Sequence, residues 1–205
     1  MGSYNLFIQR KFKEVAKLIP ECSKILDIGC NDSGIINFLQ NPIYFGVDGD
    51  KEIVHNLQKR KLNVKLVDLN KQNLPFEEEK FDFVLLLDIL EHVVDPKKLI
   101  YDSKKRLNEF GKLIITLPND YHILNKIRFV FNKHLTDDPF ASYGHLHYFP
   151  IKSGEIFLKN QQLTIFKKII IPPIRPVFIP KIIKDFLANL FPQTFARDVL
   201  YVCSI

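Results

Sequence analysis

Residues 25–34, Ile-Leu-Asp-Ile-Gly-Cys-Asn-Asp-Ser-Gly, restrict the fold more than any other stretch of the chain. Ile25, Leu26 and Ile28 read as a buried strand, Gly29 to Gly34 as a tight turn, and Ile35, Ile36 and Leu39 recur at helical spacing. Strand, small-residue turn and helix make the first half of a nucleotide-cradling βαβ unit, in which small residues let a ligand approach the backbone. The next apolar run, Tyr44-Phe45-Gly46-Val47, ends on Asp48, 21 residues after Asp27. A carboxylate near that distance, at the end of a second strand, suits a pair of ribose hydroxyls.

The alternation continues down the chain. An amphipathic helix over 4–19 stops at Pro20. Strands are expected at 24–28, 43–47, 63–67, 82–87 and 112–117, with helices at 33–40, 51–60 and 96–108. Phe83 to Leu87 is an unbroken apolar run, as in a central parallel strand covered on both faces. Such alternation implies a mostly parallel sheet. After Pro118 the pattern changes to a helix over 121–132 and a loop over 133–150 that carries His134, Phe140, Tyr143, His145, His147 and Tyr148. A helix at 152–160, a strand at 163–171, a proline-punctuated stretch 172–196 around a helix 181–190, and a strand 198–203 follow.

The 205 residues, 46% hydrophobic and 25% charged, suit one domain with a real core. A net charge of +6 permits an anionic substrate, a nucleic acid or an acidic membrane surface and demands none of them. Cys22, Cys30 and Cys203 are odd in number and lack metal spacing, so a reducing, cytoplasmic setting is expected. No signal peptide is read, and no apolar run approaches the ~20 residues of a membrane span.

Taken in order, several short stretches resemble the motif series of the class I S-adenosylmethionine (SAM) dependent methyltransferases. They are Leu26-Asp27-Ile28-Gly29-Cys30, Phe45-Gly46-Val47-Asp48, Val67-Asp68-Leu69, Leu74-Pro75-Phe76, Phe81-Asp82-Phe83-Val84, Leu90-Glu91-His92-Val93 and Leu117-Pro118-Asn119. The resemblance covers residues 22–120. Asn31 and Ser33 stand where the family usually has its second and third glycines, and Asn tolerates positive φ better than most residues. The resemblance implies a Rossmann-like α/β fold: a seven-stranded, mostly parallel sheet with helices on both faces and a C-terminal antiparallel hairpin. The single domain 1–205 then divides into an N-terminal helix (1–20), a cofactor half (22–120) and an acceptor half (121–205), with 172–196 as a lid-like insertion. SAM is the implied cofactor and S-adenosylhomocysteine (SAH) the product. Asp27, Gly29, Cys30 and Asn31 are expected around the methionine part, Asp48 and Gly49 at the ribose, Asp68 and Leu69 at the adenine, and Asp88 on the same rim. A carboxylate at a strand end also serves as a helix N-cap, which is the competing explanation for each.

Methyl transfer needs a nucleophile held in line with the methyl group, and a hydroxyl nucleophile gains from a base. Candidates are Asp88, Glu91, His92, His145 and His147. Asp88, Glu91 and His92 fall at i, i+3 and i+4. Two carboxylates and an imidazole can take a divalent cation. Similar Glu-x-x-Glu-His stretches serve metal-dependent O-methyltransferases, but here Asp stands first, capping explains the stretch as well, and no metal ligand is assigned. The leading expectation is transfer to a hydroxyl of a small molecule or sugar, in surface-glycan or secondary-metabolite biosynthesis. The alternatives are a quinone or phenol O-methyltransferase, an RNA methyltransferase, and a non-catalytic SAM-binding regulator. No separate basic module points to nucleic acid. Peripheral membrane contact and either a monomer or a homodimer stay open, with the apolar residues of 172–196, beside Arg175 and Lys181, as the surface concerned.

Overall fold

The run Phe83-Val84-Leu85-Leu86-Leu87 is satisfied only between two covered faces, and in the computed structural model it forms most of β4 (Phe81–Leu87), at the centre of the sheet. The structure describes residues 3–131, 144–174 and 178–205. His134, Phe140, Tyr143, Arg175 and Val177 lie outside them. The remaining strands are β1 (Lys24–Ile28), β2 (Ile43–Asp48), β3 (Asn63–Leu66), β5 (Leu107–Pro118), β6 (Thr164–Ile171) and β7 (Asp198–Ser204). They form one seven-stranded sheet in the order β3-β2-β1-β4-β5-β7-β6. The first five are parallel, and β7 runs antiparallel between β5 and β6. Side-chain alternation divides the core. Leu26, Ile28, Val84 and Leu86 belong to one buried cluster, and Ile25, Phe83, Leu85 and Ile114 to the other. Each fully buried Leu or Ile contributes about 1.5–3 kcal/mol.

The helices are α1 (Ser3–Ala16), α2 (Lys51–Lys59), α3 (Pro96–Lys105), α4 (Ile123–Val130), α5 (Ile151–Asn160), α6 (Lys181–Leu190) and α7 (Pro192–Phe195). Asp50 caps α2 by accepting from the N–H groups of Glu52 and Ile53, and Asp95 caps α3 through Lys98 N. No described helix is long and apolar enough to cross a membrane.

Three elements differ from the sequence expectation. The helix over 33–40 is a short 3-10 segment, Gly34–Phe38, because Ser33 stays left-handed and Leu39 is already extended. β5 begins at Leu107 rather than 112, since Gly111 lets the strand run under the Phe81 carbonyl; a Cβ there would lie 2.8 Å from that oxygen. The third is α7, one turn that precedes the last strand inside 172–196.

Candidate active site

The parallel strands end on one rim, and the turn after β1 is the first piece of it. Gly29, Asn31 and Ser33 all have positive φ (74°, 45° and 56°), so the glycine-like backbone survives both replacements. Gly29 is obligatory for a second reason: a Cβ there would lie 2.7 Å from Ile89 Cδ1. Gly29 and Cys30 N–H groups donate to the Val47 carbonyl, which ties the turn to β2. Asp48, half-buried, accepts from Asn31 N (2.8 Å) through one oxygen and from Asp50 N (2.9 Å) through the other. Each oxygen keeps a lone pair, and a Cβ on the neighbouring Gly49 would meet only the Val67 carbonyl, at 3.6 Å.

Asp27 lies behind the turn, 3% exposed, accepting from the Tyr44 hydroxyl at 2.8 Å. Burial pushes its carboxyl up to about 7, against the Tyr44 hydrogen bond, and Asp48 adds to the rise. Its place is under the turn, which it braces through Tyr44, whose oxygen is 3.0 Å from Ser33 Oγ. Cys30 is buried, and burial raises its thiol to about 12, so it is inert packing rather than a nucleophile. Asp68 accepts from Asn70 N and pairs with Lys71, which holds its carboxyl below the usual range. Leu69 is half-buried against the core.

Asp88 follows β4 and is left-handed (φ 53°), a strained setting for a residue with a side chain. Thr116 holds it twice, accepting from Asp88 N (2.9 Å) and donating to Oδ1 (2.6 Å). Its other oxygen meets Lys11 Nζ, which reaches in from α1 and also meets Asp198 at the start of β7. Lys11 is 1% exposed. Burial opposes its charge, but the two carboxylates override that and keep it protonated. Burial likewise opposes the charge of Asp88, and Lys11 overrides it, so this carboxyl sits below the ordinary range.

Glu91, His92 and His145 gather next to Asp88. Glu91 is 1% exposed, and burial, with Asp88 nearby, raises its carboxyl to about 9. His92 is half-buried, its Nδ1 3.3 Å from the Gly144 carbonyl; burial, then His145, lowers its pKa. The His92 and His145 rings meet edge to face at 5.0 Å. His145 Nδ1 lies 3.0 Å from Asp120, an aspartate just past the end of β5. His147 turns away, its Nε2 3.0 Å from the Val93 carbonyl. Glu91, His92 and His145 each offer a ligand atom, all within 4.8 Å of one another, and so have room for a cation. All three, with Lys11, Asp88 and Asp120, wall a cavity of about 690 Å³. Lys11, Thr116, Asp120, Arg197 and Asp198 are site residues beyond those named from the sequence. The strand-end rule, applied to β5 as to the other strands, reaches Asp120; nothing local marks Lys11.

The sequence profile of the family described as "Methionine biosynthesis protein MetW" matches residues 9–190. An uncharacterised protein of Methanocaldococcus jannaschii is 36% identical over 85 residues, which is 42% of this chain and 40% of that protein. A ubiquinone biosynthesis O-methyltransferase of Glaesserella parasuis is 32% identical over 108 residues, 47% of this chain and 45% of that enzyme. The chain thus spans less than half the length of either relative. Among solved structures, a Thermotoga maritima SAM-dependent methyltransferase, described as a possible histamine N-methyltransferase, superposes with a TM-score of 0.68 at 15% identity, over 97% of this chain and 89% of that one. A putative methyltransferase of Haloferax volcanii, in complex with the Trm112 activator, gives 0.64 at 16% identity over 96% and 88%. The chain belongs to the MetW family and has the class I SAM-dependent methyltransferase fold.

Proposed function

We propose that the chain is a SAM-dependent methyltransferase that acts on a hydroxyl of a small molecule or sugar, in surface-glycan or secondary-metabolite biosynthesis in the cytoplasm. One observation carries this reading: a polar cavity opens beside Asp88, on the rim where Asp48 and the Gly29 turn suit the cofactor. The donor set fits SAM. The left-handed turn would face the methionine part, Asp48 would accept from the ribose hydroxyls, and Asp68 with the Leu69 backbone would meet the adenine. SAM supplies a methyl group on sulfur and leaves as SAH.

His145 is the base. Asp120 holds Nδ1–H, which leaves the Nε2 lone pair without a hydrogen bond among the described residues and able to take the hydroxyl proton. Lys11 keeps Asp88 ionised and fixed, so the loop after β4 presents one wall rather than several. Calorimetry tests the cofactor half: SAM and SAH bind, and Asp48→Ala weakens both by about 1–3 kcal/mol. Labelled SAM, incubated with the protein and a cell-extract metabolite pool, tests the transfer. A methylated product that disappears with His145→Ala supports the reading; failure of SAM to bind ends it.

A further inference from the structure

The acceptor cavity is unevenly furnished. On its inner wall Asn119 and Glu91 are each 1% exposed, and Asn119 Oδ1 and Glu91 Oε2 have no hydrogen-bond partner among the described residues. Asn119 cannot relieve this by turning its amide over. Its Nδ2 donates to the carbonyls of Ala196 (3.0 Å) and Gln193 (3.2 Å), and a turned amide would set oxygen against oxygen. The orphaned oxygen is therefore fixed as an acceptor, open to a donor from outside the described residues, a water or a ligand hydroxyl.

Arg197, an exposed residue, lines the same cavity and offers a positive charge. Its guanidinium lies over the Phe7 ring at 5.2 Å and makes no hydrogen bond among the described residues. The carboxylate of its neighbour Asp198 is committed to Lys11. A planar fork over an aromatic face, with no hydrogen bond among the described residues and with Asp198 only as a nearby charge, can take a carboxylate or phosphate. A neutral sugar would leave Arg197 unused. An apolar phenol would leave the oxygens of Asn119 and Glu91 bare.

Resting on the reading of this cavity as the acceptor site, we propose that the acceptor is a polyhydroxylated small molecule bearing an anionic group. Its carboxylate or phosphate lies on Arg197 and its hydroxyls turn to Asn119 and Glu91.

Saturation-transfer NMR titrations of the full chain, with and without SAH, test this. The probes are D-glucuronate, D-galacturonate, D-glucose 6-phosphate, D-glucose and cyclohexanecarboxylate. At least one anionic sugar should bind about tenfold more tightly than both glucose, which lacks the anion, and cyclohexanecarboxylate, which lacks the donors. The uronates against the phosphate show which anion is meant. Arg197→Gln should erase the tenfold advantage while SAH still binds. Parity between glucose and the anionic sugars overturns the proposal. So does an advantage that survives Arg197→Gln, or silence from all three anionic sugars. The methyltransferase reading fails separately, through loss of SAM and SAH binding, and the titrations without SAH are read regardless of it.

Discussion

Lys11 has a buried ammonium facing two carboxylates, and the balance of charge decides what its loss does. Removing a partner from a buried ion pair leaves uncompensated charge and costs about 3–5 kcal/mol. Lys11→Met should lower the unfolding free energy from a urea titration by that amount, and Asp198→Asn in the same chain should restore part of it. Losses in Lys11→Met and Asp198→Asn that simply add in the double variant would mean that the groups are not coupled. Asp27 gives a pH signature. Its carboxyl titrates near 7 in the fold and near about 3.9 unfolded. Between those values the native state binds more protons, so this group's contribution to stability falls as pH rises from about 4 to about 7 and is level above. The fall is on the order of 3–4 kcal/mol. Asp27→Asn should remove it: the variant-minus-native stability, from melts at pH 4.5 and 7.5, becomes more favourable at the higher pH. The same difference at both pH values would show an ordinary carboxyl. Asp48 and Asp68 were legible because a strand followed by a carboxylate is a local pattern. Lys11 was not, because a basic residue on an amphipathic helix reads as solvated until Asp198, at the other end of the chain, is folded against it.

Among the elements, α1 and α6 are joined by Arg10 and Asp185 at 2.9 Å, so the N-terminal helix and the insertion 172–196 are coupled. Ile182 and Phe186 on α6 are 77% and 64% exposed, more apolar surface than a solvated helix needs. With α6 as an acceptor lid, replacing 173–191 by a short linker should abolish methyl transfer and spare SAH binding. A change of mass by light scattering would make this surface a dimer contact instead. Asp95→Ala, at the N-cap of α3, should cost about 1 kcal/mol in a thermal melt, and no loss would show that the Lys98 N–H finds water equally well. Apart from the start of β5, the strands were readable to within a few residues, since β4 could only be central and prolines mark the ends of several elements. The 3-10 segment was not readable. Ile35, Ile36 and Leu39 have helical spacing, but where a helix begins depends on the left-handed Ser33 before it. The early start of β5 was equally hidden, because Asn108, Glu109 and Phe110 look like a loop until Gly111 admits the Phe81 carbonyl.

For the molecule as a whole, the Glu91, His92 and His145 group bears on metal dependence. With His145 as base, dialysis against a chelator should leave methyl transfer unchanged; loss in chelator and recovery with Mg²⁺ or Mn²⁺ would make the trio a metal site. The ion triad has a consequence for how the protein is born. Lys11 leaves the ribosome well before Asp198, which follows it in the sequence. Domains assemble as the chain is synthesised, so the β1–β5 sheet can form while α1 still waits, its ammonium in water. Only when β7 slots in beside β5 does α1 gain both counter-charges and close the cavity wall. A nascent chain stalled before residue 198 would thus hold the cofactor rim without a finished acceptor chamber, and α1, translated before the sheet, docks after it.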